Sequence, residues 1–421
     1  MKMRWCRLVA GLLLTSIMLI SCTSEPTDKV DKPVIKEMQD TEEGQTITVV
    51  PTVQAKTGED TTKYQIQTRL TDFHLFDSTS GIAWGVTRNA LRIYYTHDQG
   101  ETWTNISPSE NIPFTGELEY GKEIWFTDAN HGWIVRQTWD RTSTIVLRTN
   151  DGGATWNLTA LPNGGAVTAI YFTNPSSGWI MAAGTANETK EQKILYHTKD
   201  SGATWAVAMQ NSSNLAEVSH LPELPLNGKV TGMRFKVNGE GMVTLNFEGS
   251  PALYVTKDEG KTWSSSSNLD TPAACSADVG SKPQFADATD PSGWLPLKCS
   301  TDGKTRYSGF FTADDGLNWD FSFMPLAVSD HPESATVPTF LNRREGWILL
   351  DGAVHHTVDG GRSWTGFVPN RILSEMLAKY PEPVKIRFAS SRVGWLLIEK
   401  AEDRKSLLMR TTDGGRTWRV L

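Results

Sequence analysis

The chain has 421 residues, among them 16 Trp, 35 Gly and 20 Pro, and a formal net charge of −7. This composition excludes a coiled coil, a collagen (Gly follows no three-residue period) and a wholly disordered chain, which would lack aromatics. An acidic balance gives no electrostatic reason to expect a nucleic-acid partner, and the length suffices for one or two domains with a substantial core.

The first 22 residues read as an address. Lys2, Arg4 and Arg7 form a positive region, and residues 8–20 are an apolar run too short to cross a bilayer but suited to secretion. The run ends in Leu19-Ile20-Ser21-Cys22, which resembles a bacterial lipoprotein lipobox. That resemblance implies cleavage after Ser21, lipidation of Cys22 and an extracytoplasmic, lipid-anchored protein on a bacterial cell membrane. Removing residues 1–21 takes away three positive charges and no acid, so the mature net charge becomes −10. Residues 22–62 are polar apart from one aliphatic patch at 47–50 and Val53, and read as a lipidated, disordered tether.

From residue 63 to 421 one unit repeats seven times. Its most regular part is Thr-x-Asp-x-Gly-x-(Thr/Ser/Asn)-Trp. The Asp residues are Asp98, Asp151, Asp200, Asp258, Asp314, Asp359 and Asp413; the Trp residues are Trp103, Trp156, Trp205, Trp263, Trp319, Trp364 and Trp418. Ahead of each copy stands Gly-Trp (132–133, 178–179, 293–294, 346–347, 394–395) or a relative, Gly81-Ile82 or Gly241-Met242. Alternating β-formers predict four short strands per unit; in the third they fall at 167–172, 179–183, 194–197 and 204–209. Such a repeat predicts an all-β fold, a single seven-bladed propeller of four-stranded blades. The Asp is expected to close a turn by accepting amide bonds, the Gly to supply its special backbone angle and the Trp to cover it. The seven carboxylates are therefore structural, not catalytic. Closure of the ring is expected to involve residues 64–70, paired beside a short last strand.

The motif resembles the Asp-box, or BNR repeat, of sialidases, sortilin-type receptors and xyloglucanases. The turns Asn150-Asp151-Gly152-Gly153-Ala154-Thr155-Trp156 and Thr412-Asp413-Gly414-Gly415-Arg416-Thr417-Trp418 look most like the photosystem II assembly and stability factor family. That resemblance implies a non-enzymatic propeller that binds a protein partner while a membrane or envelope complex assembles. Met242 in place of Trp, Asn318 in place of Thr and Pro296 inside a strand depart from the pattern.

Function is expected on the face that carries the irregular loops between blades. Candidate binding residues there are Trp139, Arg141, Tyr120, Arg371 and Tyr380, and residues 372–380 have the spacing of a short helix capping the channel mouth. Cys275 and Cys299 remain once Cys6 and Cys22 are assigned; outside the cytoplasm they suggest one disulfide, the alternative being two reduced thiols. No metal, phosphate-loop or nucleophile-elbow motif occurs, and no cofactor is expected. His355 and His356 point to opposite strand faces. The alternative function is a carbohydrate-binding or sialidase- or glycosidase-like surface protein. It would need paired carboxylates, for which Glu119, Glu223, Asp330 and Glu333 are candidates. The sialidase Arg-Ile-Pro signature is absent.

Overall fold

The computed structural model describes residues 47–49, 66, 68–109, 112–114, 116–138, 142–186, 190–211, 223–266, 269–277, 282–285, 290–327 and 335–421. All fall in the second of two compact units, Glu42–Leu421. Cys22, Trp139, Arg141, Asp330 and Glu333 lie outside the described residues.

Seven antiparallel sheets follow one another along the chain, and each is built from consecutive strands. They span residues 72–105, 124–160, 166–210, 229–266, 275–327, 339–366 and 382–420. First strands of successive blades pack on each other around the axis. The architecture is the seven-bladed propeller expected. In blade three the strands are Ala166–Phe172, Gly178–Ala186, Glu191–Thr198 and Ala206–Gln210.

Each Asp-box works as a hydrogen-bonded clasp. Thr149 Oγ1 donates to Asp151 Oδ1 at 2.8 Å, and the Thr155 amide reaches the same oxygen at 2.9 Å. Thr155 Oγ1 donates to Asp151 Oδ2 at 2.5 Å, while the Gly153 amide donates to Thr149 Oγ1 at 2.8 Å. Gly153 sits at φ +84°, which a side chain would strain. In the fifth box Asn318 does the work of the usual Thr: its Nδ2 donates to Asp314 Oδ2 at 2.6 Å. Partial burial opposes the charged carboxylates, but these donors outweigh it and hold Asp98, Asp151, Asp200, Asp258, Asp314 and Asp413 below their usual range. Asp359, dominated by its bonds from the Ser363 hydroxyl and amide, falls to about 2.

The Gly-Trp dipeptide joins blades. A Cβ on Gly178 would lie 2.3 Å from the Phe172 ring, so only Gly lets the Phe of strand one lie flat on strand two. That Phe is a further repeat residue, recurring as Phe126, Phe235, Phe285, Phe340 and Phe388 opposite each Gly. Trp133 of blade two stacks on Phe172 of blade three at 3.6 Å, Trp179 on Phe235 at 4.0 Å and Trp347 on Phe388 at 3.8 Å. Each Phe also meets the edge of its own Asp-box Trp, as Phe172 does Trp205 at 6.1 Å. Trp133 Nε1 then donates to Ser201 O in the next blade's Asp-box turn at 2.7 Å. Met242 breaks the series, and there the Arg234 guanidinium covers the Phe285 ring at 4.0 Å instead. Such aromatic pairs add about 0.5–1.5 kcal/mol each beyond area burial.

Two expectations change. Blade seven completes itself with Arg419–Val420, and residues 64–70 supply no strand among the described residues. The Leu70 amide instead donates to Ser406 Oγ at 2.6 Å. The junction of blades seven and one is made by side chains: Arg410 to Glu101 at 2.7 Å, Arg69 to Glu399 at 2.6 Å and Lys385 to Asp72 at 2.6 Å. Trp395 packs there against Phe73 and Trp103. Secondly, within the stretch expected to be a disordered tether, Ile47–Val49 forms a strand antiparallel to residues 156–158, outside blade two. A β-branched patch meeting an open sheet edge accounts for this local departure.

Candidate functional site

The first strand of each blade is the innermost, so its side chains meet those of the other blades at the axis. They line a channel cavity of about 890 Å³. One wall is an aromatic stack: His74 lies on Tyr120 at 3.8 Å and 7°, and Tyr120 on Trp125 at 5.0 Å. Trp125 then tilts against Tyr171 at 4.8 Å. Tyr120 is fixed from both sides, for its hydroxyl donates to Phe126 O at 2.8 Å. Half-exposed His74, Tyr120 and Trp125 line the channel yet lie deep in the ring, where charge is poorly hydrated. Burial therefore pushes the Tyr120 phenol up, and burial with the nearby Arg387 and Lys385 charges holds His74 well below its usual value.

Charge in the channel opposes the charge of the chain. Lys122, Arg234, Lys282, Lys298, Lys385 and Arg387 line it, against Asp72, Glu117 and Glu119. Each of these carboxylates has a cation. Asp72 holds Lys385, Glu117 holds Arg69 at 2.6 Å, and Glu119 holds Lys282 at 2.7 Å. Burial lowers the Lys282 ammonium even against the attraction of Glu119. Arg234 forks onto Asp315 at 2.9 Å, and Arg387 donates to Phe285 O. The arrangement suits binding of an anionic, partly aromatic or apolar segment. Every Asp-box carboxylate, by contrast, is shifted toward the ionised form.

Of the residues singled out from sequence, Tyr120 is in the channel wall. Arg371 is exposed on α1 (Arg371–Lys379) and reaches only Glu375, at 3.7 Å. Tyr380 ends that helix, its amide donating to Met376 O. The helix does not cap the channel mouth. Leu373 is buried against the cores of blades six and seven, and Asn370, its N-cap, donates to Trp418 O at 3.0 Å on the outer strand of blade seven. The low polarity of its inner face and the length of the connection place it over that outer seam. Cys275 and Cys299 are disulfide-bonded across paired strand positions in blade five. Of the four carboxylates considered for hydrolysis, Glu119 is taken by Lys282, and Glu223 belongs to the connection leading into blade four. His74, Trp125, Tyr171 and Arg387 were not foreseen. A period-two pattern marks each as facing one side of a strand, but not that seven such strands converge.

Among the described residues no group of three or more His, Cys, Asp or Glu could hold a metal ion. No helix among them is long and apolar enough to cross a membrane.

Residues 115–269 match the family model described as photosynthesis system II assembly factor YCF48, and residues 94–105 match the BNR/Asp-box repeat. No curated protein is significantly similar to the chain. Among solved structures, YCF48 bound to D1 peptide is 18% identical, covering 89% of this chain and 96% of that one at a TM-score of 0.47. An α-L-arabinanase of Penicillium chrysogenum is 14% identical over 81% of this chain and 91% of its own, at 0.38. A PL25 ulvan lyase is 10% identical over 70% and 77%, at 0.40.

Proposed function

We propose that this Asp-box propeller, which resembles the photosystem II assembly-factor family, is a non-catalytic binding module held outside the cytoplasm by a lipid on Cys22. Its channel receives an acidic segment of a protein partner during assembly or stabilisation of a membrane or envelope complex. The observation that carries the reading is the charge inversion: six cations against three carboxylates around an aromatic wall, in a chain of net charge −7. Electrostatic complementarity of this kind steers association and sets orientation, and aromatic and Arg side chains concentrate binding energy. The matched family model, covering blades two to four, supports the same reading.

A photo-crosslinking amino acid at Val337, which is exposed and lines the channel, tests it in intact cells. The expected result is one stoichiometric protein adduct that disappears with Arg387→Glu and Lys298→Glu together. Loss of the adduct should leave the intrinsic Trp fluorescence unchanged. An absent protein adduct with saturable binding on a glycan array would replace this reading with the carbohydrate-binding one.

A further inference from the structure

A second cavity, of about 500 Å³, opens on the loop face between blades two and three. It shares Glu117, Leu118 and Lys122 with the channel wall but has its own chemistry. Phe114, Leu118, Val135 and Val167 contribute apolar wall, and Glu117, Lys122, Glu123 and Arg136 make the rest of the lining charged. Three of those charges are compensated. Glu117 takes Arg69 at 2.6 Å, and Lys122 pairs with Glu123 at 2.8 Å.

Arg136 is the exception. Its Nε is buried and makes no hydrogen bond. Its Nη1 has only a 3.4 Å contact to the neighbouring Gln137 carbonyl, and its guanidinium lies 5.5 Å from the Phe114 ring. A guanidinium stays charged in proteins, so it cannot relieve its burial by losing a proton. Burial pulls its proton affinity down, with no carboxylate acting the other way. Arg136 as a whole is half-buried, so it is the Nε side of the fork that lacks both water and a partner. A planar fork with unused donors is complementary to a carboxylate, which it binds through two parallel hydrogen bonds.

We propose that this cavity is a binding subsite for a carboxylate carried on an apolar body, with Arg136 as its anchor. The volume lies within the roughly 300–1,000 Å³ of small-ligand sites. Phe114, Leu118, Val135 and Val167 offer an organic body contacts that a hydrated inorganic anion cannot use. With Glu117 and Glu123 already paired, Arg136 is the one cation of this lining without a carboxylate, which matches a ligand with a single carboxylate. The carboxylate can belong to a free organic acid or to an acidic residue flanked by apolar ones in a peptide. The subsite stands apart from the channel reading and survives its failure.

Titration calorimetry of the mature protein decides the matter with three probes: benzoate, a capped peptide with a single Glu between Leu residues, and inorganic phosphate. One equivalent of benzoate or of the peptide should bind, whichever source the site serves, and phosphate should not compete. Arg136→Met keeps the apolar stem and should weaken binding about tenfold or more, an affinity change of about 1.4 kcal/mol. Arg136→Lys, with charge but no fork, should fall between, and provides a folded control if Arg136→Met is unstable. Arg371→Ala, on the exposed helix, should bind as the parent does. Absence of saturable binding by both carboxylate probes up to about 10 mM, a range that covers even weak subsites, overturns the proposal. So does phosphate binding alone, or carboxylate binding that persists unchanged in both Arg136 variants.

Discussion

Seven clasps built on ionised carboxylates make the propeller sensitive to acid in a defined window. A carboxyl whose native pKa is depressed contributes stability above its unfolded value and loses it as pH falls through the native one. The unfolded value is about 3.9, and the lowest native value, that of Asp359, is about 2. Between those limits the unfolded chain binds up to one more proton per clasp than the native chain. Each such proton is worth about 1.36 kcal/mol per pH unit, so seven give a ceiling of about 9–10 kcal/mol per pH unit. The carboxylates are partly exposed, and solvent screening reduces the effect to about half, near 4–5 kcal/mol per pH unit. The assay is a potentiometric titration of native protein against protein held in denaturant, from pH 5 to pH 2. The difference curve should show an excess uptake of about three to four protons, the count that matches this slope, concentrated below pH 4. Asp359→Asn, which keeps one acceptor oxygen, should lower that excess by up to about one proton. An excess below about one proton for the parent, or no change in Asp359→Asn, would refute the reasoning.

Three further outcomes follow from particular contacts. Cys275→Ser with Cys299→Ser releases a loop of sequence separation 24 and should lower unfolding free energy by about 3 kcal/mol in urea; an unchanged midpoint would deny the bridge its part. Lys193 is buried, its ammonium donating to Glu191, Pro225 and Leu226 carbonyls, and burial holds its pKa down to about 8. The native state therefore binds fewer protons than the unfolded chain between about 8 and 10.4, so stability should rise with pH across that window; Lys193→Met should remove this part of the slope. Met242→Trp restores the repeat residue but should destabilise by about 1–3 kcal/mol. Met242 already packs against Gly316, and Arg234 occupies the Phe285 face that a Trp would need. A stabilised Met242→Trp protein would show that the substituted blade is merely underpacked.

The repeat was legible because its parts are local. Asp151, Thr155 and Trp156 lie within six residues, so the clasp can be read from one window of sequence. The Gly-Trp slot was legible for the same reason, whereas the Phe was missed because it belongs to the preceding strand and its stacking partner is the Trp of the blade before. The channel was illegible because no two of His74, Tyr120, Tyr171, Arg234 and Arg387 belong to one local pattern. They meet only because the sheets bend round a common axis. Trp125 stood outside both repeat slots, which singled it out without saying what it faces. The helix shows the converse. Its existence was clear from the spacing of residues 372–380, but its place was not, because Asn370 selects the outer strand of blade seven by a hydrogen bond 48 residues away in sequence.

Among the described residues no strand is shared between blades seven and one, which makes the ring a split washer. Every other junction follows a continuous chain, but this one is a contact between distant ends, fastened by Glu101 between Arg410 and Arg419, by Arg69 on Glu399 and by Lys385 on Asp72. Salt, which shortens the screening length to about 3 Å at 1 M, weakens the exposed Glu101–Arg419 pair most, while buried Arg410 and the core of Phe73, Trp103, Trp395 and Leu408 hold the seam. Because no sheet among the described residues spans it, this junction is where a change in ring radius would disturb the fewest backbone hydrogen bonds. Asp72 on one lip and Lys385 and Arg387 on the other all line that bore. A guest that engages both lips acts as a clasp on the washer, so that occupancy of the channel and the stiffness of the whole ring become one property.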